Sequence, residues 1–212
     1  MISPSWKRLR GRRGRQRIVK EAEENINNGN IYVGLVHYPV YDRKGNIIAT
    51  AVTTVDIHDI ARSAKTFDVR GFYVITPLES QSQLVQRVIR HWVEGRGATY
   101  NPTRQAALSL VKVKGSMEGA IGDISRYWKS GVKVVATGAR SQRENIGYSQ
   151  LREIFLASSG PFLLLFGTGW GLTEEVIQNS DYILAPIEGP HYNHLSVRSA
   201  AAIILDRLLG CR

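Results

Sequence analysis

The stretch PFLLLFGTGWGL, residues 161–172, decides the fold that we predict for this chain. Five apolar residues, 162–166, are followed by glycines at alternate positions: Gly167, Gly169 and Gly171. A short apolar run bounded by proline and glycine is typical of a strand buried in a parallel sheet. Ligands of open α/β sheets bind beyond the carboxyl ends of such strands, where glycines let the backbone approach them closely. The stretch therefore predicts a buried strand that ends in a ligand-binding loop.

Strand-like and helix-like segments alternate on both sides of this stretch. Apolar and β-branched runs predict further strands at 31–42, 71–77, 108–113, 132–140 and 181–189. Helical periodicity predicts helices at 57–67, 80–95, 116–131, 148–160, from about 173, and 196–210. This alternation is typical of an α/β fold, a mostly parallel sheet with helices on both faces.

Turn and cap residues divide the predicted elements. The turn signal at 43–46 lies between strand-like segments and predicts either a hairpin or a long strand–loop connection. Asp56 is predicted to cap the first helix, and Ser116 to cap the helix that ends before Gly131. Residues 97–105 are rich in turn formers but fit within one domain.

The formal net charge of +10 is concentrated at the N-terminus. Residues 1–20 contain eight lysines and arginines and no acid, which leaves the other 192 residues at +2. A segment rich in glycine and arginine cannot bury enough apolar surface to fold alone. We therefore predict a disordered basic tail at 1–20, which either contacts nucleic-acid phosphates or has no role, and a single domain at 21–212.

Composition predicts a cytoplasmic protein that does not enter a membrane. Cys211 is the lone cysteine, so no intrachain disulfide can form, as is usual in a reducing compartment. No apolar run approaches the roughly 20 residues that cross a bilayer, and no apolar segment follows the N-terminal charges as in a secretory signal.

Three loops in the C-terminal half are suited to binding a ligand. They are ATGAR (136–140), FGTGWGL (166–172) and APIEGPHYNHLS (185–196), each at the end of a predicted strand. Their spacing of about 20–30 residues is that of successive strand–helix units in a parallel sheet. All three loops are therefore expected to lie on one edge of the sheet and to form a single pocket for a nucleoside-like cofactor.

Several familiar sites do not fit this pattern. A dinucleotide-binding unit requires the spacing G-x-G-x-x-G, whereas Gly167, Gly169 and Gly171 are spaced G-x-G-x-G with one strand left to follow. No Gly-Lys-Ser/Thr follows the apolar run, which excludes a P-loop. The chain lacks H-E-x-x-H and G-x-S-x-G, so neither a metal site nor a serine hydrolase is expected.

At these loops the sequence resembles the SPOUT, or α/β-knot, S-adenosylmethionine-dependent RNA methyltransferases. LLLFGTGWGL and IEGPHYNHLSVRSAAAIILDRL look like the family's second and third motifs, and the resemblance runs from about Asp56 to Leu209. The segments HYPVYDRKG, DIHDIAR and GATYNP are similar to those of a bacterial branch of the family. The resemblance implies a deep C-terminal trefoil knot, bound S-adenosylmethionine and a homodimer.

The resemblance also implies the site residues. DIHDIARSA is similar to the first motif, in which Arg62 holds the position of a catalytic arginine and Asp56 replaces an asparagine. Relatives place Asn-x-Ser before the last helix, whereas here two residues separate Asn193 from Ser196, so His194 is an alternative for the asparagine. The expected cofactor-binding residues are Ala136, Thr137, Gly138, Phe166, Gly167, Thr168, Gly169, Trp170, Gly171, Pro186, Ile187, Gly189, Asn193, His194, Leu195 and Ser196.

The expected reaction is methyl transfer to tRNA or rRNA. If Arg62 and Ser196 face the target, a ribose 2′-hydroxyl is a sensible acceptor, whereas a base formed by Glu188 or Asp56 would suit a ring nitrogen. One alternative is a module that binds S-adenosylmethionine, another nucleoside or RNA without catalysis. Another is a nucleotide-dependent oxidoreductase.

Overall fold

The computed structural model describes residues 30–140 and 145–211. The basic tail predicted at 1–20 lies outside the described residues. The described part contains a seven-stranded sheet, a two-stranded hairpin and eight helices. The strands are β1 (Ile31–Val36), β2 (Val40–Tyr41), β3 (Ile47–Ile48), β4 (Gly71–Ile75), β5 (Val111–Lys114), β6 (Lys133–Ala136), β7 (Asn145–Ile146), β8 (Phe162–Gly167) and β9 (Tyr182–Leu184).

The apolar run of the opening stretch forms β8, which lies inside the sheet. It pairs in parallel with β1 on one side and β6 on the other, so that Leu164 is opposite both Val33 and Val135. All five residues 162–166 are buried. A strand covered on both faces has no polar face, which explains why β8 has no alternation of apolar and polar residues.

The large sheet is parallel throughout, as predicted. Its strand order is β5-β4-β1-β8-β6-β9-β7, and every pairing within it is parallel. The carboxyl ends of the strands therefore lie on one edge, and the loops that follow β6, β8 and β9 lie there together.

Helices cover both faces of the sheet. They are α1 (Thr54–Thr66), α2 (Glu79–Val93), α3 (Arg96–Tyr100), α4 (Pro102–Leu108), α5 (Met117–Trp128), α6 (Tyr148–Ala157), α7 (Glu174–Gln178) and α8 (Val197–Leu209). Apolar residues of α1, α2, α4, α6 and α8 pack in one cluster against the first face. Those of α5 and α7 pack with the second face in another cluster. We call these the first and second faces below.

The caps differ from the prediction at two positions. Thr53 caps α1, because its hydroxyl accepts the amide of Asp56, so Asp56 lies inside the helix and is not its cap. Ser116 caps α5 as predicted, but the helix ends at Trp128 with Lys129 as its C-cap in the left-handed conformation at φ 52°, rather than next to Gly131.

The short elements also differ from the prediction. The turn-rich residues 97–105 contribute to the helices α3 and α4, and the edge strand β7 was not predicted. The predicted hairpin is present as the antiparallel pair β2–β3, and Gly45 in its turn has φ +84°. No helix among the described residues has the length and apolar character needed to span a bilayer.

Candidate active site

The glycine loop after β8 is held against the hairpin by backbone hydrogen bonds. Thr168 N donates to Val36 O at 3.1 Å, and Trp170 N donates to Tyr41 O at 2.9 Å. Tyr41 N in turn donates to Gly171 O at 3.0 Å. The hairpin thus adds a short antiparallel edge to the loop and determines its path.

Two of the loop glycines are required by this path. Gly169 has φ +59°, and a Cβ placed there would lie 2.9 Å from Tyr41 O. Gly167 has no left-handed φ, but a Cβ there would lie 2.5 Å from Leu172 N. A side chain at either position would clash with backbone, which explains both glycines without a ligand.

The amides of three residues in this loop are hydrogen-bonded within the protein. The amides of Thr168, Trp170 and Gly171 donate to Val36 O, Tyr41 O and Thr168 O. A backbone N–H bonded within the protein has no capacity left for a ligand. A cofactor at this loop would therefore meet its carbonyl oxygens, its Cα atoms and the half-exposed Trp170 ring.

A chain of hydrogen bonds beneath the loop runs from Thr168 to His37. The Thr168 hydroxyl donates to Val36 O at 2.9 Å and lies 2.5 Å from the Thr50 hydroxyl, which lies 2.9 Å from His37 Nδ1. Since Thr168 donates to the carbonyl, Thr50 donates to Thr168, and His37 Nδ1–H donates to Thr50. This order places a proton on His37 Nδ1.

His37 is buried, and its environment keeps it neutral. Burial lowers its pKa from 6.5 to about 4, and nearby Asp56 offsets only part of that effect. Its Nε2 has no hydrogen-bond partner among the described residues. The neutral ring agrees with the proton order of the hydroxyl chain, so His37 acts as a donor that orients Thr50.

The loops after β6 and β9 contact each other at the same edge. Asn193 Nδ2 donates to Ala139 O at 2.8 Å. Thr137, where the first loop leaves β6, is buried and donates from both N and Oγ1 to Leu165 O of β8. The three predicted loops are therefore adjacent on one edge.

The expected cofactor-binding residues differ in how much of each side chain is accessible. The side chains of Ala136, Thr137 and Phe166 are buried, so only their backbone can face a ligand. Gly167, Thr168, Gly171, Pro186, Ile187 and Asn193 are partly buried. The exposed members are Gly138, Gly169, Trp170, Gly189, His194, Leu195 and Ser196.

Asp56 is buried with both carboxylate oxygens hydrogen-bonded. Thr53 Oγ1 donates to Oδ2 at 2.6 Å, and Arg198 Nη1 donates to Oδ1 at 3.2 Å. The same guanidinium reaches Asp59 Oδ2 at 3.5 Å through Nε. A carboxylate fixed in this way positions the N-terminal turns of α1 and α8 and is poorly placed to take a proton from a substrate.

Arg62 lies in an open groove between α1 and α8. The groove has a volume of about 440 Å³ and is lined by Asp59, Arg62, Ser63, Thr66, Phe67, Arg198, Ser199 and Ala202. The Arg62 side chain is exposed and forms no ion pair with an acid in the described ranges. Its guanidinium is available to an anionic ligand.

Ser196 and Glu188 complete the predicted catalytic set. Ser196 is the exposed N-cap of α8, and its Oγ accepts the Ser199 amide and lies 2.9 Å from the Ser199 hydroxyl. Because Ser199 also lines the groove, Ser196 lies close to the groove that contains Arg62. Glu188 is exposed on the loop after β9 and is not joined to the other three by any described hydrogen bond.

Three residues of this region were not among the predicted site residues. Arg198 joins α8 to Asp56, and His37 and Thr50 support the glycine loop. One signal existed for Arg198: a cation in the first turn of a helix is unfavourable with the helix dipole and therefore indicates an acidic partner. No group of three metal-ligating side chains occurs in the described ranges.

A family model and several curated proteins match most of this chain. Residues 30–210 match the family described as SAM-dependent RNA methyltransferase, where SAM is S-adenosylmethionine. The tRNA (guanine-N(1)-)-methyltransferase of Oleidesulfovibrio alaskensis is 42% identical over 195 residues, 92% of this chain and 45% of that protein. An uncharacterized protein of Aquifex aeolicus is 40% identical over 184 residues, 86% of this chain and 90% of its own length.

These relatives differ in length. The chain spans less than half of the O. alaskensis protein, so the activity in that name belongs to a protein with at least as much sequence again. The match covers 90% of the A. aeolicus relative, so the matching segment also occurs in a protein without the additional sequence of the O. alaskensis relative.

Solved structures share the fold at low sequence identity. A probable methyltransferase of Bordetella pertussis has a TM-score of 0.59 at 12% identity, over 88% of this chain and 96% of that one. The SpoU methyltransferase AviRb of Streptomyces viridochromogenes has a TM-score of 0.52 at 18% identity, over 89% and 62%. At these identities the likeness supports the fold alone.

Proposed function

The chain belongs to the family of SAM-dependent RNA methyltransferases, and we propose that it binds SAM at the three adjacent loops and methylates RNA from there. The observation that carries this proposal is the hydrogen bond from Asn193 to Ala139, together with the bonds from Thr137 to β8. They bring the loops after β6, β8 and β9 to one edge of a parallel sheet, where α/β folds bind their ligands.

The proposed cofactor-binding residues are those predicted at 136–138, 166–171, 186–189 and 193–196. SAM supplies an electrophilic methyl group on a sulfonium centre. Because the amides of Thr168, Trp170 and Gly171 are bonded internally, their loop offers carbonyl oxygens and a rigid surface. The exposed amides and side chains of the loop after β9 then provide the donors.

We propose that Arg62 and Ser196 act on the substrate. The exposed Arg62 guanidinium is placed to bind a phosphate or ribose oxygen of RNA in its planar fork. Ser196 lies near it at the start of α8, and Glu188 is the acid with a free carboxylate on the loop after β9. Asp56 is assigned as a positioning residue, because both its oxygens are occupied.

The acceptor atom is proposed as two alternatives that one assay separates. A ribose 2′-hydroxyl fits Arg62 and Ser196, and a ring nitrogen fits Glu188 as the base. Two relatives are named for the guanine N1 of tRNA, but the chain covers only 45% and 42% of them. tRNA is therefore the first substrate to test and rRNA the second.

A C-terminal trefoil knot is the proposed topology of this region. β8 is inserted between β1 and β6, and β9 between β6 and β7, so later strands lie inside the sheet formed by earlier ones. The chain at 185–196 also passes against the loop after β6 through Asn193. Both features support a C-terminal segment that is threaded through the loop after β6. Residues 21–212 are proposed to form this one domain.

A homodimer is the proposed assembly, formed at the carboxyl edge of the sheet. Seven of the ten exposed large apolar side chains in the described residues lie on the hairpin or on the loops and first helical turns that follow the strands. These are Tyr38, Ile47, Val55, Leu78, Trp170, Tyr192 and Leu195. Clusters of exposed apolar residues mark interaction surfaces in soluble proteins. The proposed compartment is the cytoplasm, where tRNA and rRNA are modified.

Calorimetry with SAM, followed by methyl transfer from labelled SAM to unfractionated tRNA and to rRNA, tests the proposal. Digestion of the product to nucleosides then separates a ribose methyl from a base methyl. We expect saturable SAM binding and label in one RNA class. Absence of binding at millimolar SAM would refute the cofactor site, and binding without transfer to either RNA would refute the substrate.

A further inference from the structure

The helices α2, α3 and α4 on the first face of the sheet form a strongly basic surface. Residues 79–108, which form them, contain Arg87, Arg90, Arg96 and Arg104 against two acids, Glu79 and the α2 C-cap Glu94. The helices of the second face, α5 and α7, have the opposite balance: Arg126 against Glu118, Asp123, Glu174 and Glu175. A net charge near zero for the domain thus conceals a marked difference between its two faces.

The basic surface continues from α2–α4 to Arg62 on α1. Burial lowers the pKa of His58 on α1, and the nearby guanidinium groups of Arg104 and Arg62 add to this effect while Asp59 opposes it. His58 also packs edge-on against Trp92, with ring centroids 5.5 Å apart, and the Arg104 guanidinium lies 4.5 Å above the same indole. The arginines of α1 and α4 therefore flank a shared aromatic support.

We call this set, Arg62, Arg87, Arg90, Arg96 and Arg104, the arginine surface. None of the five forms an ion pair with an acid in residues 30–140 or 145–211. By contrast, three lysines on the strands pair with acids: Lys112 and Lys114 with Asp123, and Lys133 with Asp181. Five unpaired guanidinium groups on adjacent helices repel one another unless an anion lies over them.

The position of the arginine surface suits a long anion better than a small one. Arg62 is eight residues after the first residue of α1, about 12 Å along the helix axis from the carboxyl edge of the sheet. On α2, Arg87 and Arg90 are three apart and project from the same side, and Tyr100 on α3 is 87% exposed. Cations along such a distance match successive phosphates, and an exposed ring offers a stacking surface for a base.

We propose that the arginine surface binds the phosphate backbone of the RNA substrate outside the target nucleotide. This inference rests on the proposed function and adds to it the surface on which the RNA lies. Arg62 is the member shared by both, so an RNA that lies along α2 and α4 reaches the groove between α1 and α8. A second copy of the chain fits this surface less well, because a two-fold contact would face arginines with arginines.

The test compares variants in the full chain by anisotropy with unfractionated bacterial tRNA at several KCl concentrations. The double variant R87Q/R90Q lies outside the proposed catalytic groove and changes only exposed side chains. We expect it to bind tRNA about 5- to 30-fold more weakly at 0.1 M salt and to lower the salt slope by about one to two, since each lost phosphate contact removes ~0.7–0.9. In methyl transfer, KM for tRNA rises and kcat stays within twofold.

R126Q on α5 is the matched control, since it removes one exposed arginine from the second face. It should bind tRNA like the wild type with the same salt slope. An unchanged slope in R87Q/R90Q, or an equal loss in R126Q, would overturn the arginine surface. So would a change in oligomeric state of R87Q/R90Q without RNA, which would assign the surface to a second copy.

The two proposals fail in different ways. If the wild type binds no SAM, the proposed function fails whatever the arginines do. If SAM binds and methyl is transferred, but R87Q/R90Q has the affinity of the wild type for tRNA, the arginine surface alone is refuted.

Discussion

Arg198 Nη1 donates a hydrogen bond to Asp56 Oδ1 at 3.2 Å, across 142 residues of sequence. It joins the first turn of α1 to the first turn of α8, the two helices that form the groove containing Arg62. Without an acid nearby, Arg198 in the first turn of a helix would be repelled by the helix dipole. Asp56 therefore makes the arginine tolerable there and fixes the two helix starts relative to each other.

Replacing Asp56 by alanine is expected to destabilise the fold by about 2–3 kcal/mol. This is less than the full cost of breaking a buried ion pair, because Arg198 is partly exposed and still pairs with Asp59. Asp56→Asn should cost less, about 1 kcal/mol, since a polar group still faces Thr53 and Arg198. Urea unfolding measures both. The folded Asp56→Asn variant should transfer methyl groups at a rate within a few fold of the wild type. A hundredfold loss of that rate with unchanged stability would instead identify Asp56 as a general base.

Replacing Arg62 by alanine is expected to lower kcat for methyl transfer about 100-fold, the size of effect for one lost charged contact in a transition state. SAM affinity by calorimetry should change less than threefold, because Arg62 is on α1 and not on the three loops. Lys65→Ala, an exposed cation one turn further along α1, is the control and should behave as the wild type. An equal loss in both variants would contradict a specific role for Arg62.

Ser196 has a structural role that must be separated from any role on the substrate. Ser196→Ala loses the N-cap of α8 and should cost about 1 kcal/mol in unfolding. Ser196→Asn keeps the cap and removes the hydroxyl, so its stability should match the wild type. If Ser196 acts on the substrate, both variants lose methyl transfer at least tenfold. Recovery of activity in Ser196→Asn would leave Ser196 as a cap alone.

The sheet was predictable because its evidence is local. The apolar run of β8, the strand–helix alternation and the cap at Ser116 each depend on neighbouring residues only. The errors lie where several residues compete for one role or where an element is short. Thr53 and Asp56 are both good caps three residues apart, and periodicity does not choose between them. The two residues of β7 are too few to have a period.

The candidate site was predictable in its loops and not in its contacts. Alternate glycines indicate a tight path for 167–171, but they do not say which group accepts each amide. The acceptors on Val36 and Tyr41 are about 130 residues away, and so is the His37–Thr50 support beneath Thr168. Such pairings arise from the packing of the hairpin on β8, which no local pattern contains.

Gly169→Ala is expected to weaken SAM binding at least tenfold and to lower stability by about 1–3 kcal/mol. The residue has φ +59°, which costs a side chain about 1–2 kcal/mol, and its Cβ would lie 2.9 Å from Tyr41 O. Gly122→Ala in α5 is the control: its Cβ would meet nothing within 4 Å, so it should raise stability by about 0.5–1 kcal/mol. Calorimetry and urea unfolding check both. Unchanged SAM affinity in Gly169→Ala would place the cofactor elsewhere.

His37 should make stability depend on pH between 6.5 and 4. Its pKa is lowered in the folded protein to about 4, mainly by burial, so over this range the unfolded chain binds a proton that the folded protein does not. Stability therefore falls as pH falls, by about 3 kcal/mol in total for a shift of this size.

His37→Asn can still donate towards Thr50 but does not titrate. Between pH 7 and pH 4 the wild type should lose about 3 kcal/mol more than this variant. The exposed His91→Asn should follow the wild type, since carboxylates titrate equally in both. Parallel pH curves for His37→Asn and the wild type would show that burial does not lower the pKa of His37 in the folded protein.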